Sequence, residues 1–133
     1  MRMTREVDYA LRIVAMLSKT GTQIEARQIA HKNDIPYRFA LKILRKLVQS
    51  EIVKSSRGVN GGYSLNKSAS EISLKDVIEA LDGPIAVNHC IELPEICDNT
   101  GVCPIRRKLL SAQKKFADEL ASVNFKEIAG EME

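Results

Sequence analysis

The sequence predicts a mainly α-helical fold with a small β-hairpin wing, that is, a winged helix-turn-helix domain followed by a long C-terminal dimerisation helix. Three observations lead there. Two short amphipathic segments and a basic third one succeed each other before residue 50; a glycine-rich stretch, Arg57 to Gly62, separates two strand-like runs; and an apolar stripe recurs every three or four residues after Pro104. The same pattern divides the chain into a winged domain (1–83), a cysteine loop (84–104), and a dimerisation helix with a C-terminal tail (105–133).

From residue 4 to 19, Val7, Ala10, Leu11, Val14 and Leu17 repeat at helical spacing, with Thr4 placed to cap the start and Gly21 the stop. A second, compact helix from Glu25 to Lys32 turns Ala26, Ile29 and Ala30 inward, and Asn33-Asp34 with Pro36 interrupts it. Proline has no N–H to lose in a first turn, so Pro36 opens a third helix to about Ser50. Its apolar stripe is Ala40, Ile43, Leu44, Leu47 and Val48. Ile52 to Ser55 and Gly62 to Leu65 form the two strands of the wing, and the glycines between them supply positive-φ positions. Ser73 caps a fourth helix whose inward face is Leu74, Val77, Ile78 and Leu81, and Asp82-Gly83-Pro84 ends it. The last helix, Pro104 to about Val123, aligns Ile105, Leu109, Ala112, Phe116, Leu120 and Val123. A stripe that regular needs a facing helix, in a second copy or in helix one of the same chain.

A length of 133 residues sets the expectation of one compact domain. No run approaches the roughly 18 apolar residues that span a bilayer, and the start lacks the apolar core of a secretory signal, so a cytoplasmic chain without a membrane partner is expected. The net charge of +3 hides an asymmetry: residues 1–67 carry thirteen Lys/Arg against five Asp/Glu (+8), and residues 68–133 carry seven against twelve (−5). Clustered cations release counterions from nucleic acid, which makes the first half the candidate polyanion binder. No Ser/His/Asp or paired-carboxylate arrangement is recognisable among residues that include only two histidines, so no enzyme is expected.

A helix fits the major groove, and Arg38, Lys42, Arg45 and Gln49 form one ridge of the third helix, opposite its apolar stripe. Arginine pairs bidentately with guanine and glutamine with adenine. At the wing, Arg57 precedes Gly58, Asn60 and Gly61, where missing Cβ atoms let the backbone approach a narrow minor groove. Arg2, Thr4 and Tyr37 complete the candidate surface for double-stranded DNA.

The chain's three cysteines, Cys90, Cys97 and Cys103, lie within fourteen residues of one another. An odd number in one loop argues against a secreted disulfide framework. Thiolates suit an iron-sulfur cluster; the spacing lacks the close pairs of a structural zinc site, and a thiol-disulfide switch is a further reading. His89, next to Cys90, is an additional candidate ligand, whereas His31 belongs to the helix-turn-helix. Asp8 and Arg12 stand one turn apart, as an ordinary ion pair would.

Taken together, Met1-Arg2-Met3-Thr4 with Asp8-Tyr9-Ala10, Ile29-Ala30, Lys42-Ile43-Leu44, Arg57-Gly58-Val59-Asn60-Gly61-Gly62-Tyr63, Ile72-Ser73-Leu74, Glu79-Ala80-Leu81 and three cysteines before a long helix resemble, over nearly the whole chain, the bacterial winged-helix regulators that include IscR and NsrR. The resemblance implies a homodimer that binds palindromic promoter sites, usually as a repressor. Cysteine-containing members carry an iron-sulfur cluster as sensor, which here implies Cys90, Cys97 and Cys103 as ligands. The cluster-biogenesis subgroup has a histidine three residues after its last cysteine, where this chain has Arg106; its third-helix glutamate is replaced by Leu41. The nitric-oxide-sensing subgroup takes its fourth ligand from an aspartate of helix one of the partner subunit, and Asp8 occupies that position. The resemblance therefore favours a 4Fe-4S over a 2Fe-2S cluster. Two other readings stand beside it: a cluster-free regulator switched by thiol oxidation or a protein partner, and an iron-sulfur redox carrier.

Overall fold

The computed structural model describes residues 2–99 and 101–133, and its chain path is built around the first helix, α1 (Arg5–Thr20). Thr4 Oγ1 accepts from the Val7 N–H at 3.3 Å, and Gly21, at φ 65°, sends its N–H back to the Leu17 carbonyl at 3.0 Å. Both ends are thus closed by the residues the sequence offered for that purpose. α2 (Ala26–Lys32) and α3 (Tyr37–Gln49) follow, with Pro36 one residue before the helix instead of inside it. Asp34 takes a left-handed φ of 52° in the turn between them, which a short polar side chain tolerates best after glycine.

α3 ends in an unexpected way. Glu51 adopts φ 63°, the Ile52 N–H reaches the Leu47 carbonyl at 3.1 Å and the Glu51 N–H reaches Val48 at 3.0 Å. This is the Schellman arrangement with a glutamate where glycine is usual, at a backbone cost of about 1–2 kcal/mol. Asn66 offsets it by clamping the turn, its side chain to the Glu51 carbonyl at 3.0 Å and its N–H to Ile52 at 2.9 Å.

β1 (Val53–Ser56) and β2 (Gly62–Leu65) pair antiparallel with Val53 opposite Leu65 and Ser56 opposite Gly62, so the first strand begins one residue later than the pattern implied. α4 (Leu74–Asp82) opens with a complete capping box: the Asp76 N–H donates to Ser73 Oγ at 3.1 Å, and the Ser73 N–H donates to Asp76 Oδ2 at 2.9 Å. The segment after it is not purely loop. It holds the single-turn helix α5 (His89–Glu92) and a 3₁₀ turn (Pro94–Ile96) before α6 (Pro104–Ser122).

Residues beyond Val123, expected as a tail, form a further helix, α7 (Phe125–Glu131). Asn124 caps it, and Phe125 enters the core at 1% exposure. Backbone bonds from Leu74 N–H to the Val123 carbonyl and from Phe125 N–H to Ile72, both 3.0 Å, stitch the α6–α7 joint to the start of α4. α7 then lies along α1 beside Ala15, which is buried outside the predicted stripe together with Ile13 and with Met16, whose Sδ accepts from the Asn33 side chain at the end of α2. The short apolar run of α7, interrupted by Gly130, lacked the length from which a helix is read.

The long helix shows the opposite outcome. Of its apolar stripe only Leu120 is buried, while Ile105 and Phe116 remain 69% and 45% exposed, so helix one of the same chain does not cover it. Among the described residues no helix is long and apolar enough to cross a membrane. Replacing Phe125 by alanine is expected to lower unfolding free energy by about 3–5 kcal/mol, as for other buried aromatic truncations. Urea denaturation checks this; a loss below that range would mean α7 is a loosely attached end.

Candidate functional site

The burial of Ala40, Ile43, Leu44 and Leu47 fixes which way α3 faces, and its helical period leaves Arg38, Lys42, Arg45 and Gln49 exposed on the other side. Tyr37 and Phe39 in the first turn are also exposed. Among the described residues, Arg38, Arg45 and Arg57 make no ion pair, so their charge is open to an outside anion.

Lys42 is different. Glu6 of α1 reaches across with Oε1 2.6 Å from Lys42 Nζ and Oε2 3.0 Å from Lys46 Nζ. The Lys42 hydrogen bond, then that of Lys46, holds the Glu6 carboxyl below its ordinary range. A phosphate that recruits Lys42 must therefore share its ammonium with a carboxylate. Glu6 lies 36 positions from Lys42 in the chain, and nothing in either segment's periodicity points to the other.

The wing is closed by its glycines. A Cβ on Gly62 would stand 2.5 Å from the Ile24 carbonyl oxygen, and one on Gly61 would stand 2.7 Å from that of Ser56. Gly58 sits at φ 105°. That close approach lets Ile24 and Tyr63 exchange backbone bonds of 2.9 and 2.8 Å, which attach the wing to the α1–α2 connection. Gln23 adds a side-chain bond to the Asn60 carbonyl at the tip. Arg57 and Asn60 are exposed, and a cleft of about 210 Å³ between wing and α3 is lined by Leu41, Arg45, Gln49 and Tyr63.

The N-terminal pair sits elsewhere. Beyond its capping bond, Thr4 Oγ1 donates to Asp82 Oδ1 at 3.4 Å, and Arg2 lines a groove of about 330 Å³ with Asp82, Gly83 and Phe116 where α4 ends. Both therefore lie at the joint of α1 with α4. Arg27, not singled out in the sequence, stacks its guanidinium over the Tyr37 ring, 4.3 Å from the centroid.

Cys90 lies in α5, Cys97 follows the 3₁₀ turn and Cys103 is the residue before α6; all three are free thiols of intermediate exposure. The Arg106 N–H donates to Cys103 Sγ at 3.5 Å, while its Nε donates to the Cys90 carbonyl, also at 3.5 Å. Arg106 thus ties the two ends of the cysteine segment together. Among the described residues no three His, Cys, Asp or Glu side chains converge on a metal position. Asp8 pairs with Arg12 at 2.7 Å, both half exposed, and His89 and His31 are exposed.

Comparison with known families then decides the broad class. A family model, Rrf2, described as an iron-dependent transcriptional regulator, matches residues 3–131. The chain belongs to the Rrf2 family. An HTH-type transcriptional regulator of Mycobacterium tuberculosis (strain H37Rv) is 32% identical to it over 124 residues, covering 90% of this chain and 77% of the relative. The HTH-type transcriptional repressor NsrR of Streptomyces coelicolor is 31% identical over 119 residues, 87% of this chain and 80% of that repressor. The solved structure of CymR, the global cysteine regulator of Bacillus subtilis, superposes with a TM-score of 0.80 over 100% of this chain and 99% of CymR at 22% identity. The chain is thus a transcriptional regulator of the Rrf2 family with the family's winged-helix fold, which sets aside the redox-carrier reading.

Two outcomes follow from this geometry. Because the folded-state pKa of Glu6 is depressed, its contribution to Rrf2-chain stability is complete above the ordinary glutamate value of 4.5 and is lost as pH falls through the lower folded value. Glu6→Gln is therefore expected to destabilise by up to about 1 kcal/mol at neutral pH, with the difference from wild type shrinking in acid; urea melts across pH check the trend, and a pH-independent difference would contradict it. Gly62→Ala is expected to break the Ile24–Tyr63 pairing, seen as lost amide protection from hydrogen exchange at both residues.

Proposed function

We propose that this Rrf2 regulator is a homodimeric repressor of a palindromic promoter site, and that an iron-sulfur cluster held by Cys90, Cys97 and Cys103 governs its grip on DNA. One observation carries the reading: three free, partly exposed thiols lie between α4, which packs on the winged domain, and α6, whose apolar face is bare. Thiols are the soft donors such a group requires, so the donor chemistry fits. When bound, the cluster supplies an iron centre responsive to nitric oxide, oxygen or iron-sulfur status.

A guanidinium has no lone pair to offer a metal, so Arg106 cannot act as the histidine of the cluster-biogenesis subgroup does. This favours a 4Fe-4S type with Asp8 of the partner subunit as fourth ligand. Asp8 would have to leave Arg12, but a half-exposed i,i+4 pair is worth only about 0.3–0.5 kcal/mol, too little to forbid it. Ile105, Leu109 and Phe116 of α6 pack against the same helix of a second copy. Closure of the cysteine segment against the second copy's α1 then sets the distance between the two α3 helices. Half-sites recur about every 34 Å of duplex, so a shift of a few ångströms is enough to lose register.

On the duplex, Arg38, Arg45 and Gln49 address base edges with Lys42 beside them, and Tyr37 belongs to the same surface as the ring on which the Arg27 guanidinium rests. Arg57 enters the minor groove at the wing with Gly58, Asn60 and Gly61, and Arg2 and Thr4 support the phosphate ribbon. A second reading, switching by thiol oxidation without a cluster, rests on the same three free, partly exposed thiols.

Anaerobically purified protein tests both. Absorption and Mössbauer spectra are recorded for wild type, Asp8→Ala and the triple Cys→Ser variant, with binding to a duplex selected from a random pool followed on the same samples. The cluster reading expects a coloured wild type, a colourless triple variant whose DNA affinity no longer responds to nitric oxide, and an altered spectrum for Asp8→Ala. A colourless, iron-free wild type with full DNA affinity would transfer the case to thiol switching, and an unchanged Asp8→Ala spectrum would remove Asp8 from the ligand set.

A further inference from the structure

We propose that Arg27 is an additional contact to the DNA backbone, held ready by its stack on Tyr37; the inference rests on the DNA-binding reading above. Arg27 is in the first turn of α2 and Tyr37 is the first residue of α3, so the pair bridges the starts of the two helices of the helix-turn-helix. The guanidinium carbon lies 4.3 Å from the ring centroid, well inside the roughly 6 Å reach of a cation–π contact.

Three features make this more than a surface stack. The contact with the Tyr37 ring uses none of the guanidinium's N–H donors, which remain to meet a phosphate in the bidentate manner arginine favours. The one acidic side chain nearby in sequence, Glu25, forms no ion pair among the described residues, so the charge of Arg27 is uncommitted. The first helix of such a motif crosses the phosphate ribbon while the second enters the groove by its N-terminal residues, and Arg27 stands where those two paths meet. Stacking also restricts an arginine that would otherwise lose more rotamer freedom on binding. Arg27 is accordingly a backbone contact that carries no sequence preference, and Tyr37 positions it.

Titration of the full-length protein against a mixed-sequence duplex of about three helical turns, at roughly 50 to 200 mM salt, reads this directly. Arg27→Gln is expected to weaken binding about 3- to 10-fold and to flatten the salt slope by about one for each Arg27 engaged. Tyr37→Leu should weaken binding less and keep most of the slope, and the double variant should match Arg27→Gln alone, because the ring acts through the arginine. Lys126→Gln on α7 removes the same charge outside the helix-turn-helix and should change neither quantity. Arg27→Lys, with charge retained and the stack weakened, should fall between wild type and Arg27→Gln and serves if the glutamine variant melts early. Wild-type affinity and slope in Arg27→Gln, or additive losses in the double variant, would overturn the proposal while leaving the DNA-binding reading intact. A wild-type protein that binds the duplex without any salt dependence would instead overturn that reading.

Discussion

Everything in this chain is referred to α1. A sixteen-residue helix that buries seven side chains cannot have a free face wider than a narrow stripe, and α3, α4 and α7 are each set by packing on it. Of the polar residues left outside, Glu6 reaches toward α3 while Asp8 and Arg12 pair with each other at the surface. Nonpolar burial is the dominant favourable contribution to such a core, and among the described residues no buried polar side chain interrupts it. The orientation of α3 is thus a consequence of hydrophobic packing.

On that frame the charges divide into committed and uncommitted ones. Glu6 occupies Lys42 and Lys46, whereas Arg38, Arg45, Arg57 and Arg27 are left to outside partners or to an aromatic ring. A basic surface with an internal carboxylate is less attractive to arbitrary polyanions than its formal charge implies, since exposed Coulomb attraction is modest and each lysine is shared. The wing achieves its own rigidity differently. Its glycines at 61 and 62 are required by contacts inside the protein, at Ser56 and Ile24, so the Arg57-to-Tyr63 signature is a folding constraint whatever it meets outside.

The second half of the chain is organised by an unsatisfied surface. α6 projects Ile105 and Phe116 into solvent, and the cysteine segment at its base is held mainly by polar ties to α6, from Arg106 and from the Val87 N–H to Gln113 Oε1. Few buried apolar contacts mean that this region opens at low cost, as the proposed cluster-holding role requires. Only α7 anchors the chain end firmly, through Phe125.

What the sequence determined by itself was whatever depends on neighbours a few positions away. The limits of α1, α3, α4 and α6 followed from apolar period and from caps such as Thr4, Ser73 and Gly21, because a side chain three or four residues distant is the one that caps or packs. The glycine-rich wing was legible for the same reason. Contacts made across the fold were not: Glu6 with Lys42, Arg27 on Tyr37, and Asn66 holding Glu51 in a left-handed turn all join residues whose separation along the chain says nothing about their separation in space. The C-terminal helix α7 belongs with these, since a short segment is helical mainly because a prepared surface on α1 buries it, and that surface exists only once the tertiary structure has formed.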